Sequence, residues 1–237
     1  MIVLPDLGDH TVELWPALLD IAEAVPLDWV LVGGQMVLLH ALEHGVAWPR
    51  VSMDLDLLVN VRVATRLRTF VAGIEALGFE LDGMSPELLA HRYRRGRAAV
   101  DVLAPDGVGE RADLTTTPPG RTLQVPGGTQ ALQRAERVTV RYGQRTGVIA
   151  RPTLLGSIVG KACAVDVDDV PRNQEIDLAL LLSLVEDPFV LRDQLTGKDR
   201  QRLRRRSAMT DPSHRAWRSF DRDAAANAIA VLRILVG

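Results

Sequence analysis

The chain has 237 residues, 47% hydrophobic and 24% charged, and its 28 basic and 30 acidic side chains leave a net charge of −2. That length suits one large domain or two small ones with a substantial core. No uncharged apolar run approaches the roughly 18 residues that a membrane-spanning helix needs, and the lone cysteine, Cys163, excludes an internal disulfide and a cysteine-based zinc site. The first ten residues lack a basic stretch followed by an apolar one, so a secretory leader is not expected and a reducing cytoplasm is. The charge is unevenly spread. Residues 1–60 carry nine acids against Arg50 alone, whereas residues 192–222 carry ten Arg or Lys against four acids.

Residues 10–25 have apolar side chains at helical spacing and predict a helix. A strand at 29–32 follows, then Gly33-Gly34, a helix over 35–44, a loop, and a strand at 53–59. Asp54 and Asp56 stand at i and i+2 in that strand, so both carboxylates project from one face while Leu55 and Leu57 project from the other. Parallel acids repel unless a cation lies between them, and a hard divalent ion with oxygen ligands answers that need. Two solvated aspartates on an exposed face are the bland alternative. The glycine pair offers bare backbone N–H groups beside a helix N-terminus, a ready place for phosphate.

Residues 63–77 predict an amphipathic helix closed by Gly78 as a C-cap, with a short strand at 79–81 and a polar loop to Pro86. Residues 91–95 and 98–104 read as paired strands around Gly96, with Asp101 embedded among apolar neighbours. If that strand lies beside the Asp-x-Asp strand, Asp101 is a third metal-binding carboxylate; otherwise it is an edge-strand acid facing water. Residues 105–130, rich in Gly, Pro and Thr, predict a long loop or lid with a short strand at 122–125. Strands at 137–142 and 146–150 flank a Gly143 turn, and helices are expected at 153–165, 173–186, 197–207 and 222–236. The whole reads as an α/β (α+β) domain with a mixed sheet, residues 1–150. A helical domain, residues 151–237, follows, with the cleft between them.

The chain holds 26 Arg and only two Lys, and Lys161 is the sole charge in its helix, on a stripe with Leu154, Ile158 and Val165. A lysine there needs an anion or must snorkel to the surface. Asp177 is its mirror image, sharing a stripe with Leu180, Leu181 and Leu184, and the two could simply pair with each other. The basic runs 91–97 and 198–206 would suit phosphates along an RNA backbone, or be solvated faces. His40, His44 and Cys163 show no ligand spacing and are assigned no chemistry.

Gly33-Gly34 followed by Arg50-x-Ser52-x-Asp54-x-Asp56 resembles the nucleotidyltransferase toxins of the AbiEii/AbiGii (MenT-like) type, within the DNA polymerase β-type nucleotidyltransferase superfamily. The resemblance covers residues 25–60 and, more loosely, 150–185. It implies a polymerase-β-like minimal domain in which Asp54 and Asp56, with Asp101 as the candidate third carboxylate, hold Mg²⁺ ions in a two-metal pattern. It further implies that Gly33, Gly34, Arg50 and Ser52 grip the phosphates of an NTP, that Lys161 binds triphosphate or assists transfer, and that Asp177 serves as general base. The implied acceptor is the tRNA 3′ end, and the implied partner a separate antitoxin in a bacterial toxin–antitoxin pair. Two other readings stay open: an aminoglycoside-type small-molecule nucleotidyltransferase, and a catalytically dead module of the same fold. The segment between Lys161 and Asp177 departs from the family pattern of extra Arg and Asp residues, with only Arg172 and Glu175 found and Asp166, Asp168 and Asp169 filling the loop.

Overall fold

The structure is a computed structural model that describes residues 1–8, 12–26, 28–48, 50, 52–62, 66–110 and 112–237. The elements run β1 (Ile2–Val3), α1 (Leu14–Ala24), β2 (Trp29–Val32), α2 (Gly33–Glu43), β3 (Asp54–Val59), α3 (Arg66–Ala76), β4 (Glu80–Leu81), β5 (Arg92–Arg95), β6 (Ala98–Pro105) and β7 (Gln124–Val125). They continue with α4 (Gly128–Gln133), β8 (Ala135–Tyr142), β9 (Arg145–Pro152), α5 (Leu154–Ala164), α6 (Pro171–Ser183), α7 (Pro188–Asp193), α8 (Gly197–Arg204) and α9 (Arg222–Val236).

Among the described residues two sheets form, so the fold is mixed α/β. The larger is six-stranded in the order β2-β3-β6-β5-β4, with β7 added alongside β6. Strand β3 runs antiparallel to β2 and parallel to β6, and the β5–β6 hairpin is antiparallel. A three-stranded sheet pairs β1 parallel to β8 and β8 antiparallel to β9.

Alternation divides the larger sheet into two unlike faces. Trp29, Leu31, Leu55, Leu57, Val100 and Val102 join the main core with Leu18 of α1 and Phe70 of α3. Trp29 meets the Phe70 ring edge-on at a centroid distance of 6.4 Å. The opposite face carries Asp54, Asp56 and Asp101, then turns apolar where Val30, Leu58, Leu103 and Ala131 form a smaller cluster beneath α4. The main core runs on without a break into the helical part, through Leu155, Ile158, Leu180, Leu181 and Leu232.

The expected elements are present with shifted ends. The first helix starts at Leu14 rather than at residue 10, and expectations for 10–11 and 63–65 lie outside the described residues. The helix after β2 runs from Gly33 to Glu43, two residues earlier than expected, and Gly33, with φ +66°, makes the turn into it. Gly78 closes α3 with φ +85°, and Gly96 turns the β5–β6 hairpin with φ +56°. Three elements carry no clear sequence signal. Strand β1 is two residues long, helix α4 interrupts the stretch expected to be loop, and α7 occupies a gap between expected helices.

His40 shows how tightly the helical part is fastened. It is 1% exposed on α2, with Nε2 3.1 Å from the Pro152 carbonyl oxygen and 2.9 Å from Ser157 Oγ at the start of α5. Burial, with the Arg151 charge nearby, lowers its pKa to about 3. The unfolded chain therefore takes up a proton near pH 6.5 that the folded chain refuses, and stability present above that value is lost as the pH falls toward 3. We expect the urea midpoint to drop between pH 6.5 and pH 5 by the equivalent of about 2 kcal/mol. Replacing His40→Gln should remove most of that slope; an unchanged slope would assign the acid sensitivity elsewhere.

Candidate active site

The site is built on one row across the sheet. In register, Val32 of β2 stands opposite Asp56 of β3, Asp56 opposite Asp101 of β6, and Asp101 opposite Arg92 of β5. Residues paired in this way share a face, so Asp56, Asp101 and Arg92 project together, with Asp54 two residues along from Asp56. Arg92 binds both oxygens of Asp101, Nε at 2.7 Å and a terminal nitrogen at 2.6 Å, and reaches Asp54 at 3.1 Å. Ser52 Oγ donates to the other Asp54 oxygen at 3.0 Å.

The Asp56 carboxylate has no ion pair or hydrogen bond among the described residues. Burial, then the charges of Asp54 and Asp101, push its pKa up to about 7, against the opposing pull of Lys161 and Arg92. Its carboxylate lies on Gly33, which has φ +66° and where a Cβ would overlap the carboxyl group. The second glycine clears the neighbouring residue. A Cβ at Gly34 would stand 2.6 Å from Ser52 Cβ and 3.1 Å from an Arg50 nitrogen. Each glycine thus makes room for a side chain of the second half of the motif. No side chain caps α2, so its first N–H groups stay available beside Asp56.

A second network lies across the cleft. Asp177, fully buried on α6, takes a two-point contact from Arg50, Nε at 2.8 Å and a terminal nitrogen at 2.6 Å, and also binds Lys161 Nζ at 2.8 Å. Lys161 is 4% exposed and donates to Gln174 Oε1 at 2.8 Å, while Gln174 Nε2 reaches Asp168 at 2.5 Å. Removing one partner from a buried pair of this kind costs about 3–5 kcal/mol, because the other charge is left uncompensated. Gln35 on α2 steadies the motif loop by donating to the Ser52 carbonyl at 2.8 Å.

Between the networks lies a cleft of about 190 Å³. Gly33 and Asp56 line one side and Lys161, Asp168 and Gln174 another, and small or apolar residues such as Leu58, Gly128 and Gly160 form the walls. Clefts of this kind, mostly apolar with a few convergent polar groups, are the usual form of small-molecule sites.

The structure therefore brings Gly33, Gly34, Arg50, Ser52, Asp54, Asp56, Asp101, Lys161 and Asp177 into one connected constellation. Lys161 does not snorkel. It pairs with Asp177, the plainer of the alternatives open from the sequence. Arg92, Gln35 and Gln174 are additional members. Among the described residues, no group of three or more His, Cys, Asp or Glu side chains is placed to hold a metal ion, and the Arg92 guanidinium sits between Asp54 and Asp101.

Arg92 excepted, the basic runs lie apart from this picture. Arg202 binds Asp106 at 3.3 Å, Arg205 binds Asp166 at 3.3 Å, Arg206 binds the same Asp166, and Arg204 donates to the Val236 carbonyl at 3.0 Å. In the other run Arg94 pairs with Asp82, and Arg95 with Asp20 at 2.6 Å. Both runs are spent largely on holding the fold.

No protein-family model, no curated protein and no solved structure matches this chain. Among the described residues no helix is long and apolar enough to cross a membrane.

Two outcomes test the geometry. Gly33→Ala should cost about 2–4 kcal/mol, from positive φ and from overlap with Asp56. Combining it with Asp56→Gly should recover at least about 1 kcal/mol of that in a double-mutant cycle by urea unfolding, whereas strict additivity would deny the contact. Because the folded pKa of Asp56 is raised, its stabilising contribution is present below about pH 3.8 and lost as the pH rises through 7. Asp56→Asn should therefore unfold at higher temperature than the wild type at pH 8 without added metal, and the gap should narrow at pH 5.

Proposed function

We propose that this chain is a nucleotidyltransferase of the polymerase-β-like type, moving a nucleoside monophosphate from an NTP to a hydroxyl acceptor. The observation that carries this reading is the unpartnered Asp56 carboxylate. It lies against the glycine start of α2, beside two further carboxylates, and lines a cleft that Lys161 lines from another side.

An unpaired, charge-crowded carboxylate next to Asp54 fits a hard divalent cation with oxygen ligands, so Asp54 and Asp56 would hold Mg²⁺. Such an ion would neutralise triphosphate charge and polarise the phosphoryl oxygens. The chain's own groups do the rest. The first N–H groups of α2 face the phosphates, as helix N-termini do. Arg50, which lies over Gly34, and Lys161 supply positive charge to the leaving pyrophosphate. Ser52 fixes the orientation of Asp54. The part of the cleft lined by Leu58, Gly128 and Gly160 takes the base.

In the reaction the acceptor oxygen bonds to the α-phosphorus and the bond to pyrophosphate breaks, with little covalent work left to the protein. Asp177 acts as a positioning residue. Its carboxylate is engaged by two cations and closed to solvent, so it has no free oxygen to offer an incoming hydroxyl, whose proton passes to water at the cleft mouth.

The acceptor on this reading is the tRNA 3′ end, with the chain as toxin of a bacterial toxin–antitoxin pair and a separate antitoxin as partner. A small hydroxyl compound of the aminoglycoside class is the second reading. It is favoured by the consumption of the 198–206 arginines in internal pairs, which leaves fewer free cations for a nucleic-acid backbone.

The test incubates purified protein with Mg²⁺, each α-³²P-labelled NTP and total bacterial tRNA, beside Asp54→Ala/Asp56→Ala. Label on tRNA, reduced at least about 1,000-fold in the double variant, is expected; that ratio corresponds to about 4 kcal/mol of lost transition-state stabilisation. Label on aminoglycosides but not on tRNA would select the second reading. Silence with both acceptors would leave a catalytically dead module.

A further inference from the structure

We propose that Arg92 is a built-in cation standing where a second metal ion would otherwise bind, so that the three-carboxylate cluster takes one divalent ion rather than two. This inference rests on the nucleotidyltransferase reading and specifies its metal requirement.

Asp101 has both oxygens taken by one guanidinium, at 2.7 and 2.6 Å. Two-point contact of this kind is the strongest that arginine makes with a carboxylate. A metal ion on either Asp101 oxygen would lie beside the guanidinium charge, and ions of like sign at such distances repel. Asp54 is held more lightly, by one arginine contact at 3.1 Å and the Ser52 hydroxyl at 3.0 Å. Asp56 is not held at all. The capacity to ligate a metal therefore grades across the row, absent at Asp101, partial at Asp54 and complete at Asp56.

Backbone geometry fixes this arrangement. The hairpin turn pairs Arg95 with Ala98, which places Arg92 directly opposite Asp101, and β6 in turn is registered against β3 with Asp101 opposite Asp56. Swinging Arg92 away would strip the partner from Asp101, a residue 7% exposed in a strand buried along its whole length. Such a carboxylate keeps its cation. Two-metal sites space their ions about 3.5–4 Å apart and share a carboxylate between them; here the third carboxylate is committed to a protein cation before any metal arrives.

The test counts bound Mn²⁺ by equilibrium dialysis and reads ion–ion coupling by electron paramagnetic resonance, with no nucleotide present. The wild type should bind one Mn²⁺ per chain with an uncoupled spectrum, and Asp101→Asn should bind the same number. Arg92→Gln should bind a second ion that couples magnetically to the first, and adding Asp101→Asn should remove that second ion. Two coupled ions in the wild type, a lower count in Asp101→Asn, or one ion only in Arg92→Gln would each overturn the proposal. Should Arg92→Gln fail to fold, the wild type and Asp101→Asn decide between the outcomes. Two ions in the wild type would leave nucleotidyl transfer standing, whereas no Mn²⁺ bound by the wild type at millimolar concentration would bring down both readings.

Discussion

Three carboxylates on neighbouring positions of one sheet face repel one another, and the positions of the surrounding cations answer that repulsion. Arg92 settles against Asp101 and touches Asp54. Lys161 and Arg50, which would otherwise be drawn to the same cluster, are held by Asp177. Asp56 alone keeps its charge uncompensated, at a cost visible in its raised pKa. Gly33, with no Cβ and a φ of +66°, is what lets the carboxylate lie so close to a helix start.

The second network matters because it joins the two parts of the chain. Arg50 comes from the loop before β3, Lys161 from α5 and Asp177 from α6, so one buried carboxylate fixes the helical part against the sheet. His40 fastens the same junction from the other end of the helix pair, through Pro152 and Ser157. Packing alone would let helices slide over an apolar surface; directional bonds to buried groups define one arrangement. This arrangement places Lys161 in the wall of the cleft.

Much of the site is legible in the sequence because it depends on short-range rules. Alternation in a strand places Asp54 and Asp56 on one face, and a glycine pair before a helix marks a close approach. The partner of Asp101 is also accessible by counting: a two-residue turn at Gly96 pairs residues 95 with 98 and therefore 92 with 101. A run of basic residues hides this, because the eye reads it as a surface patch. What sequence reasoning misses is non-local. The arginines of α8 look free until Asp106 and Asp166 arrive from elsewhere in the chain. Strand β1 has two residues and no pattern of its own, and exists because β8 offers an edge. Helix α4 arises in a stretch whose glycines and prolines announce a loop, and it covers the small apolar cluster of Leu58 and Leu103.

The contact between Arg50 and Asp177 spans 127 residues, and that separation has a bearing on how the protein is made. Chains are synthesised at about 5–20 residues per second, so the Asp-x-Asp strand waits roughly 10 s for the helix that carries Asp177. During that interval the sheet can form, yet Arg50 has no anchor, Lys161 is missing for most of it, and the cleft lacks a wall. Any activity of the constellation is thus withheld from the nascent chain and appears only when the last third of the protein docks. The order of the residues along the chain is itself a timing device.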